Sequence, residues 1–291
     1  MARRSPVSTH LSITIIGSGN VAQALAPALV RAGYRVDAIF SKAGAKSERP
    51  AKSLARKVGA AVGQIGRTLI TSRLTWLCVS DDAIADVAKA IAIGDWEGRF
   101  VFHSSGALTS DELAPLKRRG AVVASVHPMM TFVAGVQPKF DGVPFGVEGQ
   151  PAAVRLAHGI VRDLGGETFA ISKQAKALYH AMGSFSSPMI IATLATAERV
   201  AAAAGIPATK AAQVMKPILK RTLENYFRGG ANAAFSGPIR RSDVVTIRKH
   251  LQELKNVPGA REVYVALARS VLRSVTVRDP KAVERVLEES F

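Results

Sequence analysis

A chain of 291 residues is too long for one ordinary core and suits two domains, and 48% hydrophobic residues give it the apolar material to fill them. The formal charge of +17 is spread, with 20 basic against 13 acidic residues in 1–170 and 19 against 9 in 171–291; no nucleic-acid-binding motif or interleaved aromatic accompanies it, so no nucleic-acid partner is expected. The lone cysteine, Cys78, excludes an internal disulfide and a cysteine-built metal site, and no signal-peptide core or membrane-length apolar run is seen, so a cytoplasmic protein with no membrane partner is expected.

Ser12–Ile16 reads as a short β-branched strand, followed by Gly17-Ser18-Gly19-Asn20-Val21-Ala22 and an amphipathic helix to about Ala32 with Gly33 as its stop. Tyr34–Phe40 is the second predicted strand, and a helix from about Lys52 to Val58 follows a loop holding Gly44 and Pro50. Leu69-Ile70 is a brief strand and Thr75–Val79 a stronger one, before a helix over Asp82–Ala92. Phe100–His103 is a strand, Ser110–Arg118 a helix with Thr109 and Glu112 spaced as a capping box, and Val122–Val126 another strand. Pro144–Ile171 adds a strand, a helix over Ala152–Leu164 and a strand at Thr168–Ile171 at the far edge of the sheet. Strand and helix alternate as in a doubly wound, mostly parallel α/β sheet.

After Ser172 the pattern turns wholly helical: a long run over Lys173–Ala204, then Ala208–Phe227, Asp243–Leu254, Ala260–Ser274 and Pro280–Glu289. The expected domains are 1–172, a nucleotide-binding α/β domain, and 173–291, an all-α domain.

The Gly-x-Gly-x-x-Ala run lies between a strand and a helix, with a second strand about twenty residues on. Gly17 permits the tight turn, Gly19 the approach of a pyrophosphate, and Ala22 close helix packing. Gly17, Ser18, Gly19, Asn20 and Val21 are therefore candidate dinucleotide contacts. The second strand ends in Ser41-Lys42, with Lys46 and Arg49 nearby. A hydroxyl and cations there suit a 2′-phosphate better than the carboxylate expected for NAD, so NADP(H) is the expected cofactor. Val79 and Ser80 end the strand before Asp82, which reads as a helix cap; Val79 and Ser80 are candidate cofactor contacts.

Ligands of open α/β sheets lie at the carboxyl ends of the strands. His103-Ser104-Ser105-Gly106 is at one such end and His127 at the next. Ser104 is a candidate cofactor contact, and Ser105 and His127 are candidate catalytic groups. No zinc-ligand spacing accompanies the histidines, so no metal is expected. Lys173, Lys176, His180 and Ser184 share a helical stripe, with Tyr179 and Ser187 as neighbours; His180 is the favoured proton donor. Arg240, Arg241 and Asp243 start a later helix. An arginine there would grip a substrate carboxylate, with Asp243 as an N-cap or as its orienter.

With GSGNVAQAL, VSDDAI, HSSGALTSDEL, VHPMMTF, YHAMGSFSS and GPIRRSDVVTIRKHL in that order, the chain resembles the Rossmann-like NADP-dependent oxidoreductases that carry a C-terminal helical domain of uncharacterised function. These are similar to pyrroline-5-carboxylate reductase, the deazaflavin-linked NADP oxidoreductases and the 3-hydroxyacid dehydrogenases. The resemblance implies a helical domain that builds a homodimer, an active site between the domains, and reduction of a small oxo- or imino-acid, ketopantoate being the first candidate. Family members often have Asn where Pro188 stands and Gly where Ser242 stands. The alternatives are a prephenate-dehydrogenase-like enzyme, from the HPM at 127–129, and an NADP(H)-binding sensor or scaffold without catalysis.

Overall fold

The structure, a computed structural model, describes residues 11–289, so the basic segment 1–10 lies outside the described residues. Two compact units divide between Ser184 and Phe185.

The first unit is built on eight strands: β1 (Ser12–Ile16), β2 (Arg35–Ser41), β3 (Ala61–Gln64), β4 (Leu74–Leu77), β5 (Phe100–His103), β6 (Val122–Pro128), β7 (Pro144–Gly149) and β8 (Glu167–Ala170). Their spatial order is β3-β2-β1-β4-β5-β6-β7-β8. Every neighbouring pair is parallel except β6 and β7. No helix joins β6 to β7, and without a crossover helix the returning strand runs antiparallel. The chain starts at β1 and winds outward in both directions, which places a topological switch beside the β1–β4 pair.

Alternation along β1 sends Ile15 and Ile16 to opposite faces. Ile15 joins a core with Leu25, Leu29, Leu54, Trp76, Phe102 and Ile160 under helices α1 (Asn20–Arg31), α2 (Ala45–Val58) and α5 (Pro151–Asp163). Ile16 joins another with Leu77, Ile84, Trp96, Val101 and Leu116 under α3 (Asp81–Ile91) and α4 (Ala114–Lys117). The unit closes with a 3₁₀ turn at Lys173–Ala175, capped by the Ser172 hydroxyl, and with α6 (Lys176–Ser186), in whose last turns the division falls.

The expected α/β sheet followed by helices is what forms, with four local differences. Leu69-Ile70 is loop, and the strand on that side is Ala61–Gln64 at the sheet edge. The second helix starts at Ala45 rather than Lys52, because it accommodates Pro50 near its N-terminus. The helical run from Lys173 breaks at Ser187, whose φ of −138° leaves the helical region, and Pro188 opens a new helix at its first position. Of the capping box before α4, the Thr109 half forms, its hydroxyl accepting from the Asp111 N–H.

The second unit contains α7 (Pro188–Ala203), α8 (Ala208–Ala234, kinked at Gly230), α9 (Pro238–Arg241), α10 (Val244–Leu254), α11 (Ala260–Ser274) and α12 (Pro280–Glu288). Its buried core is small: Ile247, Leu251, Ala268, Val283, Val286 and Leu287. α7 buries no residue, and α8 buries only Ala211. Among the described residues no helix is long and apolar enough to cross a membrane.

Candidate active site

The glycine turn after β1 has no room for a side chain at its first position. Gly17 sits at φ +107°, donates its N–H to the Phe40 carbonyl at 2.8 Å, and a Cβ there would lie 2.3 Å from the Cys78 carbonyl oxygen. Cys78 is itself buried, which pushes its thiol up to about 12. At Gly19, by contrast, a Cβ would meet nothing within 4 Å. Gly19 is the N-cap of α1, yet no side chain caps the helix and no acid lies in its first turn. The first amides of α1 therefore open onto unfilled space with the partial positive charge of the helix end behind them. Ala22 is fully buried beneath. The Asn20 amide donates to the Phe132 carbonyl at 3.0 Å, the Ser18 carbonyl accepts from Gln23, and Val21 is half-buried.

At the end of β2, Ser41 is 4% exposed and its hydroxyl has no hydrogen-bond partner among the described residues. Lys42, Lys46 and Arg49 are exposed beside it. Glu48 lies in this segment too: its carboxylate accepts from the Gly44 N–H at 3.1 Å and pairs with Lys52. At the end of β4, Val79 is half-buried and Ser80 is exposed. Ser80, not Asp82, is the N-cap of α3; Asp82 already lies inside the helix.

The ends of β5 and β6 converge with α6. His103 is fully buried, its Nε2 3.0 Å from the Thr109 carbonyl, and its Nδ1 accepts from the Ser105 N–H at 3.1 Å. Burial, helped by the Lys176 charge, lowers its pKa to about 4, so the ring is neutral with the proton on Nε2. Ser104 accepts from the Trp76 indole at 2.9 Å. Ser105 is 4% exposed, and its hydroxyl donates to Asp81 at 2.8 Å while accepting from the Ala107 and Leu108 N–H groups. That hydroxyl has no capacity left for a substrate, so as placed here Ser105 shapes the turn.

His127 Nδ1 lies 2.8 Å from the Tyr179 hydroxyl. Where the tyrosine donates to Nδ1, the His127 proton sits on Nε2. Burial, with the charges of Lys176 and His180, lowers the His127 pKa to about 4. His180 is exposed, its ring centre 6.0 Å from that of His127. A Cβ on Gly106 would sit 2.8 Å from His127 Nε2 and 2.6 Å from His180 Cδ2, so both rings close on this glycine.

Lys176 is the residue that sequence reasoning placed on the right stripe and undervalued. It is 1% exposed, and its ammonium donates to the Ser105 carbonyl at 2.8 Å and to the Ser125 hydroxyl at 2.5 Å. Burial lowers its pKa to about 8, against the pull of Glu148 and Asp81. Lys173, three residues earlier, instead pairs with Asp111 near the surface.

In the second unit the loop residues are committed locally. The Arg240 guanidinium donates from Nη1 to the carbonyls of Asn232, at 2.6 Å, and Phe235, closing the end of α8. Asp243 is the N-cap of α10, accepting from the Thr246 N–H at 3.1 Å and hydroxyl at 2.8 Å, which lowers its pKa. Arg241 is exposed. Ser242 has φ +56°, a left-handed conformation that glycine adopts without strain. Among the described residues no group of three potential ligands could hold a metal ion.

Residues 4–128 match the family model described as a Rossmann-like domain. Residues 143–271 match the one described as a domain of unknown function, DUF2520. No curated protein matches the chain. Among solved structures it is similar to a candidate NADP oxidoreductase of Bacteroides fragilis, at 23% identity over 90% of this chain and 98% of that chain, with a TM-score of 0.76. The imine reductase of Myxococcus stipitatus in complex with NADP+ is 15% identical over 95% of this chain and 100% of that one, with a TM-score of 0.64. A pyrroline-5-carboxylate reductase of Coxiella burnetii is 16% identical over 96% and 98%, with a TM-score of 0.56. At these identities the likeness is one of fold. The chain is thus a Rossmann-like domain followed by a DUF2520 domain, in agreement with its sheet order and its helical second unit.

Proposed function

We propose that the protein is an NADP(H)-dependent oxidoreductase acting on a small oxo- or imino-acid. The observation that carries this reading is the uncapped, open start of α1 above Gly19. Gly17, Ser18, Gly19, Asn20 and Val21 would hold the pyrophosphate there, with Ser41 and Lys42 at the adenosine ribose and Val79, Ser80 and Ser104 along the rest of the cofactor. The unpartnered Ser41 hydroxyl and the exposed cations beside it favour a 2′-phosphate. The imine reductase of Myxococcus stipitatus, a protein of similar fold, is found with NADP+ and a variant of it with NAD+, which supports a nicotinamide dinucleotide without choosing between the two.

When bound, the nicotinamide supplies or accepts a hydride. The chain's own part is to orient the substrate and move a proton. His180, exposed and beside His127, would exchange that proton with solvent. His127, with Tyr179 donating to its Nδ1 and the proton on Nε2, would hydrogen-bond the reacting oxygen or nitrogen. Arg241, or the Nε and Nη2 side of Arg240, would hold a substrate carboxylate. Ketopantoate is the first substrate to try and prephenate the second.

A homodimer through the helical unit belongs to the same reading. The exposed Met189, Ile190 and Ile191 of α7 and Val214, Ile218 and Phe227 of α8 form apolar surface that a second copy would cover.

The test is a thermal-shift titration with NADPH and NADH. A ligand that binds only the folded state raises the melting temperature once its concentration exceeds Kd. Stabilisation by NADPH well above NADH, followed by turnover on an oxo or imino acid, is the expected result. No shift with either nucleotide would remove the reading, and a shift without turnover would leave a binding protein.

A further inference from the structure

The Ser105–Gly106 peptide is trans, as is every described peptide bond. In a planar trans peptide the C=O and the following N–H point in opposite directions. The Ser105 carbonyl is held by two donors, the Lys176 ammonium at 2.8 Å and the Ser125 hydroxyl at 3.2 Å. Lys176 also donates to Ser125, so the three groups form a closed triangle around one carbonyl oxygen. The Gly106 N–H is therefore turned away from that triangle. It has no hydrogen-bond partner among the described residues, although Gly106 is buried. A buried amide left unpaired costs about as much as a lost hydrogen bond and calls for a reason. His127 turns Nε2 toward the same glycine, and with Tyr179 donating to Nδ1 that nitrogen carries the proton and is a second donor beside it.

We propose that the Gly106 N–H and the His127 Nε2–H form a two-donor site for one oxygen of a bound carboxylate, carbonyl or carboxamide, and that Lys176 is the positioning residue that aims the first donor. The assignment rests on the oxidoreductase reading for its occupant, which is either the nicotinamide carboxamide or an oxo-acid oxygen. It does not use Lys176 as a proton donor. The ammonium is spent on the Ser105 carbonyl and on Ser125, and burial, helped by its charge, keeps the adjoining imidazole neutral. Gly106 is required because any Cβ would strike both histidine rings.

The experiment is an amide titration by NMR of glycine-labelled full-length protein, with NADP+ and with oxamate, a non-reducible oxo-acid analogue, each alone and then together. Gly17 and Gly19 report cofactor binding in the same spectra. The expected result is a downfield shift of the Gly106 amide with at least one probe. A shift with NADP+ alone assigns the carboxamide, and one that needs oxamate assigns the substrate oxygen. In Lys176→Met the shift is largely lost; in Lys176→Arg, which can still donate to the Ser105 carbonyl, most of it returns. Should Lys176→Met fail to fold, Ser125→Ala removes the other donor to that carbonyl and is expected to reduce the shift.

Movement of Gly17 and Gly19 with a still Gly106 under both probes overturns the two-donor site while the cofactor reading stands. A still Gly17 and Gly19 removes the cofactor reading, and Gly106 is then judged on oxamate alone, a shift upholding the site and its absence overturning it. A Gly106 shift of full size in folded Lys176→Met overturns the role given to Lys176.

Discussion

The sheet unit and the helical unit treat their apolar residues in opposite ways. In the first, the strands place isoleucine, tryptophan and phenylalanine between two helical layers, and the large side chains of its core are buried on both faces of the sheet. In the second, α7 buries nothing and α8 one alanine, while Ile190, Ile191, Ile218 and Phe227 face outward. Two grooves, of about 470 and 660 Å3, are lined by these helices and their neighbours, Val200, Leu254 and Tyr264 in one and Ile190, Leu223 and Phe235 in the other. Burial is the main source of stability, at roughly 25 cal/mol per Å2 of apolar surface. The first unit supplies its own; the second presents surface that calls for a cover.

The sharpest break of the first unit is Gly17→Val. It combines a left-handed backbone with a Cβ 2.3 Å from the Cys78 carbonyl, and a loss of about 4 kcal/mol or outright unfolding is expected in urea denaturation. Gly19→Ala is its control: with nothing within 4 Å of the new methyl, stability should stay within about 0.5 kcal/mol while NADPH-induced stabilisation falls.

For the second unit, Ile218→Glu places a charge on the exposed face of α8. For the proposed homodimer, sedimentation should show conversion of dimer to monomer, with the first unit's NADPH response retained. A dimer that survives this change would put the contact elsewhere.

Acid should act first on the sheet unit. His103 and His127 have folded pKa values of about 4, below the ordinary 6.5. The unfolded chain therefore binds more protons between those values. The stability they contribute is whole above pH 6.5 and is lost as pH falls toward 4. A His103→Gln variant should show a shallower loss between pH 6.5 and 4 than the parent chain, by roughly 1–3 kcal/mol, measured by urea midpoints at stepped pH. An unchanged slope would mean that the His103 ring is not held neutral.

A modest effect is expected at Asp243→Ala, which removes the cap of α10 and should cost about 1 kcal/mol. A larger loss of substrate affinity than of stability would restore Asp243 to a binding role.

Most of the sheet was legible because its signals are local. The β-branched run of β1, the glycine turn and the bounds of β5 can each be read within a few residues. The misses came where neighbours overruled local preference. Ala61–Gln64 holds a glycine and an exposed Val62, with little to mark it, and becomes a strand because β2 offers an open edge. Pro50 looked like loop, yet α2 contains it. At the site, spacing put Lys176, Tyr179 and His180 on one stripe. It could not say that the lysine would be buried and the histidine exposed, since that depends on β5 and β6 closing over α6 from more than fifty residues away. Nor could it say that Arg240 would turn its Nη1 onto the Asn232 and Phe235 carbonyls at the end of α8.

Cys78 follows β4 directly, beneath the Gly17 turn, and is the chain's only thiol. Its burial keeps it protonated and out of reach, and the thiolate is the form that reacts. Alkylation of Cys78 therefore waits for the sheet to open, and the labelling rate becomes a clock for that event alone. Run with and without NADPH, the clock would time how firmly the cofactor closes the turn. Run on the Ile218→Glu chain, it would tell whether covering the helices slows the opening of a sheet that has its own core.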